Sequence, residues 1–274
     1  MRAPSVLVLC AVTLGATSLR AQSLDPRSPS TARRLSVTLL WLRRYPEALA
    51  ASDRAVGLAP TNLSILEGKA LNYLAQGDLA GAREMLRAPP RGIDPTALVA
   101  FVANYWDLFW ALSDDQQQLL LRLTPTAFGD DRFVWAHSLA QTYTLRGDAA
   151  RARAYADSGR MAVEAQLQAT PQDPQRTVLH GLALAYLGRN ADAVREGERA
   201  GTLLPISRDA YTGPYIQHQL ARIYVRVGLP EKALDILEQL LKMPYYLSPG
   251  LLRIDPEWKP LHNNPRFQRL VQGG

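Results

Sequence analysis

The side chains best suited to chemistry in this sequence are its histidines and carboxylates, and they are not grouped as a catalytic or metal site requires. The four histidines are His137, His180, His218 and His262. None has the His-Glu-x-x-His spacing that places two imidazoles and a carboxylate on one helix face. A Gly-x-Ser-x-Gly elbow, a Walker loop and a dinucleotide fingerprint are also missing from the sequence. We therefore predict that the protein is not an enzyme and has no metal site and no cofactor.

Two pairs of aspartates lie where helices are predicted to begin. The pairs are Asp114–Asp115 and Asp130–Asp131. Carboxylates at a helix N-terminus are stabilised by the helix dipole and can accept from free backbone N–H groups. We interpret both pairs as helix caps and not as acid–base catalysts.

The elements that would carry a binding surface are helical hairpins repeated along the chain. Ala and Leu dominate and β-branched runs are few, which predicts an all-α fold. A small residue recurs near the start of each second helix, with spacings of 34, 70, 41 and 40 residues. The spacing of 70 predicts one further, divergent hairpin within Ile93–Pro125. The series is Ala48, Ala82, Ala152, Ala193 and Ala233.

Three other positions recur in the same register. Glycine stands at four of the turns, where it allows the positive φ with which a first helix ends, and Arg43 stands at the first turn. Small residues on the first helix let the two helices of a hairpin approach closely. An aromatic residue or leucine precedes each turn glycine by four positions. These three sets are Gly77, Gly147, Gly188 and Gly228; Ala70, Ala140, Gly181 and Ala221; and Tyr73, Tyr143, Leu184 and Tyr224.

Two spacings exceed 34 residues, and the extra residues can be placed. Ala149 to Ala169 reads as one long second helix, extended by two turns. Ile206 to Gly213 reads as a loop before a helix opened by Pro214. In the divergent hairpin, a helix is predicted through the segment FVANYWDLFWAL, and Ser113 is predicted to cap the next one. Whether Trp106 and Trp110 face a core or a groove stays open.

This pattern resembles the tetratricopeptide repeat family over roughly residues 31–242. The resemblance implies a right-handed α–α superhelix of about six helix pairs, in which neighbouring repeats share one core. Residues 243–274, with five prolines between short apolar runs, are expected to fold back on the last repeat as a cap. Parts of the sequence are also similar to tetratricopeptide regions of bacterial regulatory proteins, including some serine/threonine kinases, although the kinase motifs are missing from the sequence.

The resemblance further implies a concave groove lined by the first helices. His137 and His218 take the same repeat position there. The Lys and Asn set with which some members of the family clamp a peptide carboxylate is missing, so recognition of chaperone tails is not supported. The mixture favours an extended peptide or helix, with some acidic character near the sixth repeat. The groove residues are Glu67, Leu71, His137, Gln141, Thr144, Val178, Leu182, His218, Arg222 and Arg226.

The N-terminus has the pattern of a secretory signal. Arg2 precedes an apolar run from Val6 to about Ala16, and a small residue, Ala21, stands at a plausible cleavage site. We predict a signal peptide at residues 1–21, a linker at 22–30 and no membrane insertion after cleavage. The alternative is a loose N-terminal helix on a cytoplasmic protein. Cleavage would lower the formal charge from +6 to +4 and remove Cys10, the only cysteine, so that no disulfide remains.

The charged residues are interspersed along the chain, with no block of one sign, which does not favour nucleic-acid binding. We predict a non-catalytic scaffold of the bacterial cell envelope, periplasmic or secreted, that binds a protein or peptide in its groove. The alternative is a regulatory or sensory module of a signalling system, cytosolic or tethered to a membrane. The sequence does not identify the partner.

Overall fold

The computed structural model describes residues 25–104 and 108–272, and the secondary structure within these ranges is helical, as predicted. The predicted signal peptide and Trp106 lie outside the described residues. The α-helices are α1 Pro29–Trp41, α2 Tyr45–Leu58, α3 Leu63–Ala75, α4 Leu79–Arg87, α5 Pro95–Asn104, α6 Asp114–Leu120, α7 Arg132–Leu145, α8 Ala149–Ala169, α9 Pro174–Tyr186, α10 Asn190–Leu203, α11 Gly213–Arg226, α12 Pro230–Leu241, α13 Pro249–Ile254 and α14 Pro265–Val271. Short 3₁₀ helices cover Phe109–Ala111, Pro125–Phe128 and Pro256–Leu261.

The chain divides into two compact units. Among the described residues, unit one consists of residues 25–94, Gln239–Asp255 and residues 269–272. Unit two consists of Pro95–Glu238 and Pro256–Gln268. Both units are therefore assembled from segments that are far apart in the sequence.

Unit one is built from two helical hairpins, α1–α2 and α3–α4, with the first helices α1 and α3 packed on each other. A buried polar cluster joins three of these helices. The hydroxyls of Ser36 and Ser52 are 2.6 Å apart, and the Asn72 side-chain amide donates to both of them, at 3.0 and 2.8 Å. Hydrogen bonds of this kind make a buried polar group compatible with a packed core.

Unit two contains the hairpins α7–α8 and α9–α10, and α9 also packs on α8 and α11. The small residues of the repeat register lie at the closest approach of the helices: Ala193 is fully buried, and a Cβ placed on Gly181 would lie 3.0 Å from its carbonyl oxygen. The same register residues Ala48, Ala82, Ala140, Ala221 and Ala233 are also fully buried. Close packing at these positions is what the sequence pattern predicts.

The turns between paired helices adopt the left-handed conformation that the glycines predict. Gly77, Gly147, Gly188 and Gly228 have φ between 76° and 82°. At the first turn the chain takes the same conformation without glycine, with Arg43 at φ 57°. The Arg43 guanidinium donates to the carbonyl oxygen of Leu241 at 2.5 Å, within unit one. This hydrogen bond offsets part of the strain of a left-handed residue that has a Cβ.

The two predicted insertions are found where the spacing places them. α8 covers Ala149–Ala169 without interruption, and α11 begins at Gly213 after a loop. In the divergent hairpin the prediction was partly wrong. The described part of α5 ends at Asn104, Leu108 is not helical, and Trp110 is buried in a 3₁₀ turn. The Ser113 side chain caps α6 in a complete capping box, as predicted.

The C-terminal residues do not all fold on the last repeat. The Ser248 hydroxyl donates to the carbonyl oxygen of Ala75 at 2.5 Å, and α13 packs on α3, so that residues 239–255 complete unit one. The 3₁₀ helix Pro256–Leu261 packs on α11 in unit two. Backbone contact at Gly250, where a Cβ would lie 2.6 Å from the Ala75 oxygen, explains why a glycine stands there. None of the helices within the described ranges is long and apolar enough to cross a membrane.

Candidate functional site

The candidate site is the surface of unit two formed by α7, α9 and α11, the first helices of three repeats. We call it the first-helix face. The structure places eight of the ten predicted groove residues on these helices, at intervals of three or four. Apart from Thr144, their side chains are buried or mostly buried. His218 is 1% exposed and Arg222 is 4% exposed, and Arg226 keeps only 19% of its side-chain surface. An accessible groove at these residues was therefore the wrong expectation for the structure as it stands.

Val178 and Leu182, unlike their polar neighbours, are buried because they pack in an apolar core. Both belong to the hydrophobic core of this part of the chain, which includes Ala193, Ile216 and Ile223. Their apolar side chains hold α9 against its neighbours. The assignment of these two residues to a binding surface is corrected to a packing role.

Two further predicted residues, Glu67 and Leu71, lie on α3 in unit one. Both are buried. They belong to a different unit from the other predicted site residues. The proposal that either one binds a partner stays a prediction.

A chain of aromatic contacts begins at His137 on α7. Its imidazole stacks on Phe133 at a centroid distance of 5.3 Å and meets the edge of Tyr186 at 5.9 Å. The Gln141 side chain, one turn further along the helix, is also buried, whereas Thr144 is exposed near the end of α7. Tyr186 thus links the first helices of two adjacent repeats.

Tyr186 also supports the cation at the end of α11. The guanidinium carbon of Arg226 lies 3.7 Å from the centroid of the Tyr186 ring, close enough for a strong cation–π contact. Arg226 donates to the Glu257 carboxylate at 2.6 Å. Burial by itself would lower the pKa of Arg226, but the charge of Glu257 and the contact with Tyr186 raise it. The arginine is therefore held as a cation whose position is fixed from two sides.

Trp258, the residue after Glu257, packs on the N-terminal half of α11. The Trp258 indole is fully buried and stacks on the His218 imidazole, with centroids 5.6 Å apart and planes inclined by 15°. Burial lowers the pKa of His218 well below its usual value, and the positive charge of Arg222 lowers it further. His218 is accordingly neutral at pH 7 and offers a flat ring to the indole.

The same segment is fastened to α12 at its far end. The Arg266 guanidinium donates to Glu238 at 2.5 Å, to Asp235 at 2.7 Å and to Glu231 at 3.1 Å. The Asn264 amide donates to Glu231 at 2.8 Å. Residues 256–268, which we call the covering segment, are thus attached to unit two at two places.

An open cavity of about 800 Å³ lies beside the covering segment. One wall consists of the last turns of the three first helices, and the other wall belongs to the covering segment. Because Arg226 and Glu257 both line it, the cavity reaches the buried ion pair from the solvent side. Its lining includes Thr144, Tyr186, Val225, Arg226, Glu257, Lys259, Pro260 and Asn263.

Three residues of the site were missed by the sequence analysis. Tyr186 could have been found, because it lies four residues after Leu182 and takes the position in its repeat that Arg226 takes forty residues later. Glu257 and Trp258 follow no repeat register, so nothing in their spacing connects them to α11. Near the sixth repeat, Arg226 is paired with Glu257, a residue of the chain itself. The acidic character expected of a partner there stays a prediction.

The arrangement suits recognition by charge and ring stacking. It presents a fixed cation, a neutral imidazole and a tyrosine face. Among the residues that the structure describes, no three His, Cys, Asp or Glu side chains are grouped closely enough to hold a metal ion.

Comparison with known families confirms the resemblance stated above. A tetratricopeptide repeat family model matches two segments of the chain, residues 65–88 and 214–239. The first covers most of α3 and α4, and the second covers α11 and most of α12. The described residues are thus all-helical, and these two segments of the chain match tetratricopeptide repeats. No curated protein shows significant sequence similarity to the chain.

Solved structures of other tetratricopeptide repeat proteins align with the chain at low identity. A thermophilic protein of Thermus thermophilus is 21% identical, with 79% of this chain and 91% of that chain covered and a TM-score of 0.37. A protein of Parabacteroides merdae is 15% identical, with 96% and 91% covered and a TM-score of 0.44. YrrB, described as having an unusual peptide-binding site, is 13% identical, with 82% and 91% covered and a TM-score of 0.31. The similarity to the tetratricopeptide repeat family rests on the matched segments and the repeated hairpins.

Proposed function

We propose that this protein is a non-catalytic scaffold that binds a protein or peptide partner on the first-helix face of unit two. One observation carries the proposal: a short segment of the chain already lies on this face as a bound peptide would. It is fixed there by an ion pair to Arg226 and by the stacking of an indole on His218. A buried aromatic anchor beside a desolvated charge pair is the usual composition of a binding hot spot.

The partner would be a polypeptide and not a nucleic acid. The cations of the face are enclosed by Glu257 and by aromatic rings, and they do not form the exposed basic stripe with which phosphates are bound. The adjoining cavity gives a partner its approach, because it opens beside Arg226.

Site-specific photocrosslinking in the source cells tests the location of the binding surface. A photoreactive phenylalanine would replace Thr144, which is exposed and lines the cavity. The matched control replaces Met161, which is 54% exposed on α8 and does not line it. We expect one discrete crosslinked product at Thr144 and none at Met161. Equal products at both positions, or a product at Met161 alone, would move the binding surface elsewhere.

We further propose that the protein works in the cell envelope, since the N-terminal residues have the pattern of a secretory signal. Mass spectrometry of the protein from its natural source provides the test. A chain that begins near Gln22 supports export. An intact Met1 would instead support the cytosolic or tethered regulatory module.

A further inference from the structure

The covering segment shows which chemistry the first-helix face accepts. Its two consecutive residues Glu257 and Trp258 make the central contacts. We propose that this face recognises a peptide in which an acidic residue directly precedes a tryptophan, and that residues 256–268 occupy the site until a partner segment of the same chemistry displaces them. The inference rests on the proposed function and adds to it the class of partner and the means of regulation.

The acidic residue of the ligand is selected by Arg226, a cation that is held in place before any ligand binds. Arg226 lies against the Tyr186 ring, and Tyr186 is held in turn by His137. A guanidinium fixed in this way loses little rotational freedom when a carboxylate binds, which favours the acidic ligand. A neutral amide at the same place would leave the buried cation without its charge partner.

The aromatic position is specified by a flat surface of matching size. The His218 imidazole is uncharged in the folded protein and lies almost parallel to the Trp258 indole. The indole is fully buried, so that the pocket encloses a large ring on all sides. A smaller side chain would leave part of this volume unfilled.

In the covering segment the two contacts are made by adjacent residues, and the proposed ligand follows the same order. His218 and Arg226 are eight residues apart on α11, about 12 Å along the helix. Glu257 and Trp258 reach these two points because they lie in a 3₁₀ helix, in which successive side chains point about 120° apart. Pro256 and Pro260 stiffen this turn and reduce the entropy lost on binding.

The covering segment is held by buried side chains, Trp258, Leu261 and Phe267, and by ion pairs nearer the surface. Its second attachment, through Arg266, is made to Glu238, whose side chain is 29% exposed, and to Glu231 and Asp235, whose side chains are 64% and 68% exposed. The last two ion pairs are the part of the attachment that solvent or an incoming chain reaches most easily. Ion pairs with exposed partners contribute little to stability. The cavity beside Lys259 and Asn263 leaves one side of the segment open to an incoming chain. Because the segment is covalently attached, its high effective concentration should make a free peptide bind the intact protein weakly.

A labelled peptide with the sequence of residues 254–264 tests the proposal by fluorescence anisotropy against the full-length protein. We expect weak binding to the wild-type chain and binding at least about tenfold tighter to the Trp258→Ala chain, in which the covering segment lacks its anchor. Combining Trp258→Ala with Arg226→Met should abolish the gain. Peptides with Glu→Gln or Trp→Ala should bind about tenfold more weakly than the parent peptide.

The Arg266→Ala chain provides the second variant, should Trp258→Ala not fold as judged by circular dichroism. Arg266 lies outside the Glu–Trp contacts, so this change loosens the segment and leaves the recognition surface intact. A several-fold gain in peptide affinity supports displacement. Unchanged affinity in a folded variant, or equal affinity for the parent and the Trp→Ala peptides, would overturn the proposal.

A second copy of the chain is the alternative source of the same segment. Mixing wild-type and Trp258→Ala chains and measuring mass by sedimentation would detect it, since an exchanged segment would join the two chains. A stable mixed dimer would overturn the assignment to a separate partner. A crosslinked partner at Thr144 without binding of the Glu–Trp peptide would refute this inference alone and leave the proposed function standing.

Discussion

Unit one and unit two each bury a polar cluster among their repeats, and the two clusters are built differently. In unit one, Ser36, Ser52 and Asn72 are neutral, small and contributed by the hairpins themselves. In unit two, Arg226 on α11 is charged and completed by Glu257 from a segment outside the hairpins. The hydrogen bonds of the first cluster are complete once its helices pack together. The ion pair of the second cluster forms only when the covering segment packs on α11.

If the proposed function holds, this difference separates a structural cluster from a functional one. A neutral hydrogen-bonded cluster fixes how helices align and has no use for a ligand. A mostly buried guanidinium such as that of Arg226 is costly to leave without an anion, and Glu257 supplies the anion here. In the proposed function a carboxylate of another molecule takes the place of Glu257, whereas the cluster in unit one has no such position.

Removing the anchor of the covering segment should have the largest effect on stability. Trp258→Ala is expected to cost about 3–5 kcal/mol, because a fully buried indole is lost and a cavity remains. Urea denaturation followed by circular dichroism measures the loss. The control is Trp135→Ala, also in unit two, whose indole is only half-buried. A loss at Trp258 no larger than that at Trp135 would show that the covering segment is a loose attachment.

Breaking the neutral cluster should have the next largest effect. Asn72→Ala removes the donor shared by Ser36 and Ser52 and is expected to cost about 1–3 kcal/mol in the free energy of unfolding. The matched triple variant, Ser36→Ala with Ser52→Ala and Asn72→Leu, replaces the whole cluster by apolar groups and should recover most of the loss. If the triple variant were as unstable as Asn72→Ala, the hydrogen bonds of the cluster would stabilise the fold beyond filling the space between the helices.

Acid should weaken unit two through His218. The pKa of His218 is lower in the folded protein than in the unfolded chain, where it is about 6.5. The folding stability that depends on a neutral His218 is therefore fully present above this pH and is lost as the pH falls below it. We expect a loss of about 1 kcal/mol between pH 6.5 and pH 5.5. Thermal unfolding of the wild type and of His218→Phe over this range measures it. The phenylalanine variant should show a flatter dependence, and identical profiles would place the sensitive group elsewhere.

The smallest expected effect lies at the first turn, in unit one. Arg43→Gly and Arg43→Ala both lose the hydrogen bond to the Leu241 carbonyl. Only glycine adopts φ 57° without strain, so Arg43→Gly should be more stable than Arg43→Ala by about 1 kcal/mol. Chemical denaturation of the two variants gives the difference directly. Equal stabilities of the alanine and glycine variants would mean that the turn changes its conformation once the arginine is removed.

The repeated part of the fold could be predicted because the same local requirement returns at a fixed interval. Ala193 must be small, Gly188 must turn, and α8 must keep its phase over two extra turns; each of these constraints lies within one hairpin. The divergent hairpin was harder. Its aromatic run reads as one helix, but Trp110 lies in a separate 3₁₀ turn, because tertiary packing overrides local periodicity.

The candidate site could be predicted only in part, for a related reason. Register placed His218 and Arg226 on the first-helix face, and the structure agrees. Register did not reveal that Trp258 covers them, since a contact across forty residues with no repeated pattern leaves no signal in a single sequence. Nor did it separate Val178, a core residue, from His137, because both positions look alike in the repeat.

The division of the last residues between the units has a consequence for synthesis on the ribosome. Arrays in which each repeat contacts only its neighbours can fold progressively from the N-terminus as they emerge. Here Gln239–Asp255 and residues 269–272 belong to unit one, and Pro256–Gln268 complete unit two. Neither unit can reach its final packing until almost the whole chain has left the exit tunnel, so the nascent protein must wait in an unfinished state that a chaperone could bind.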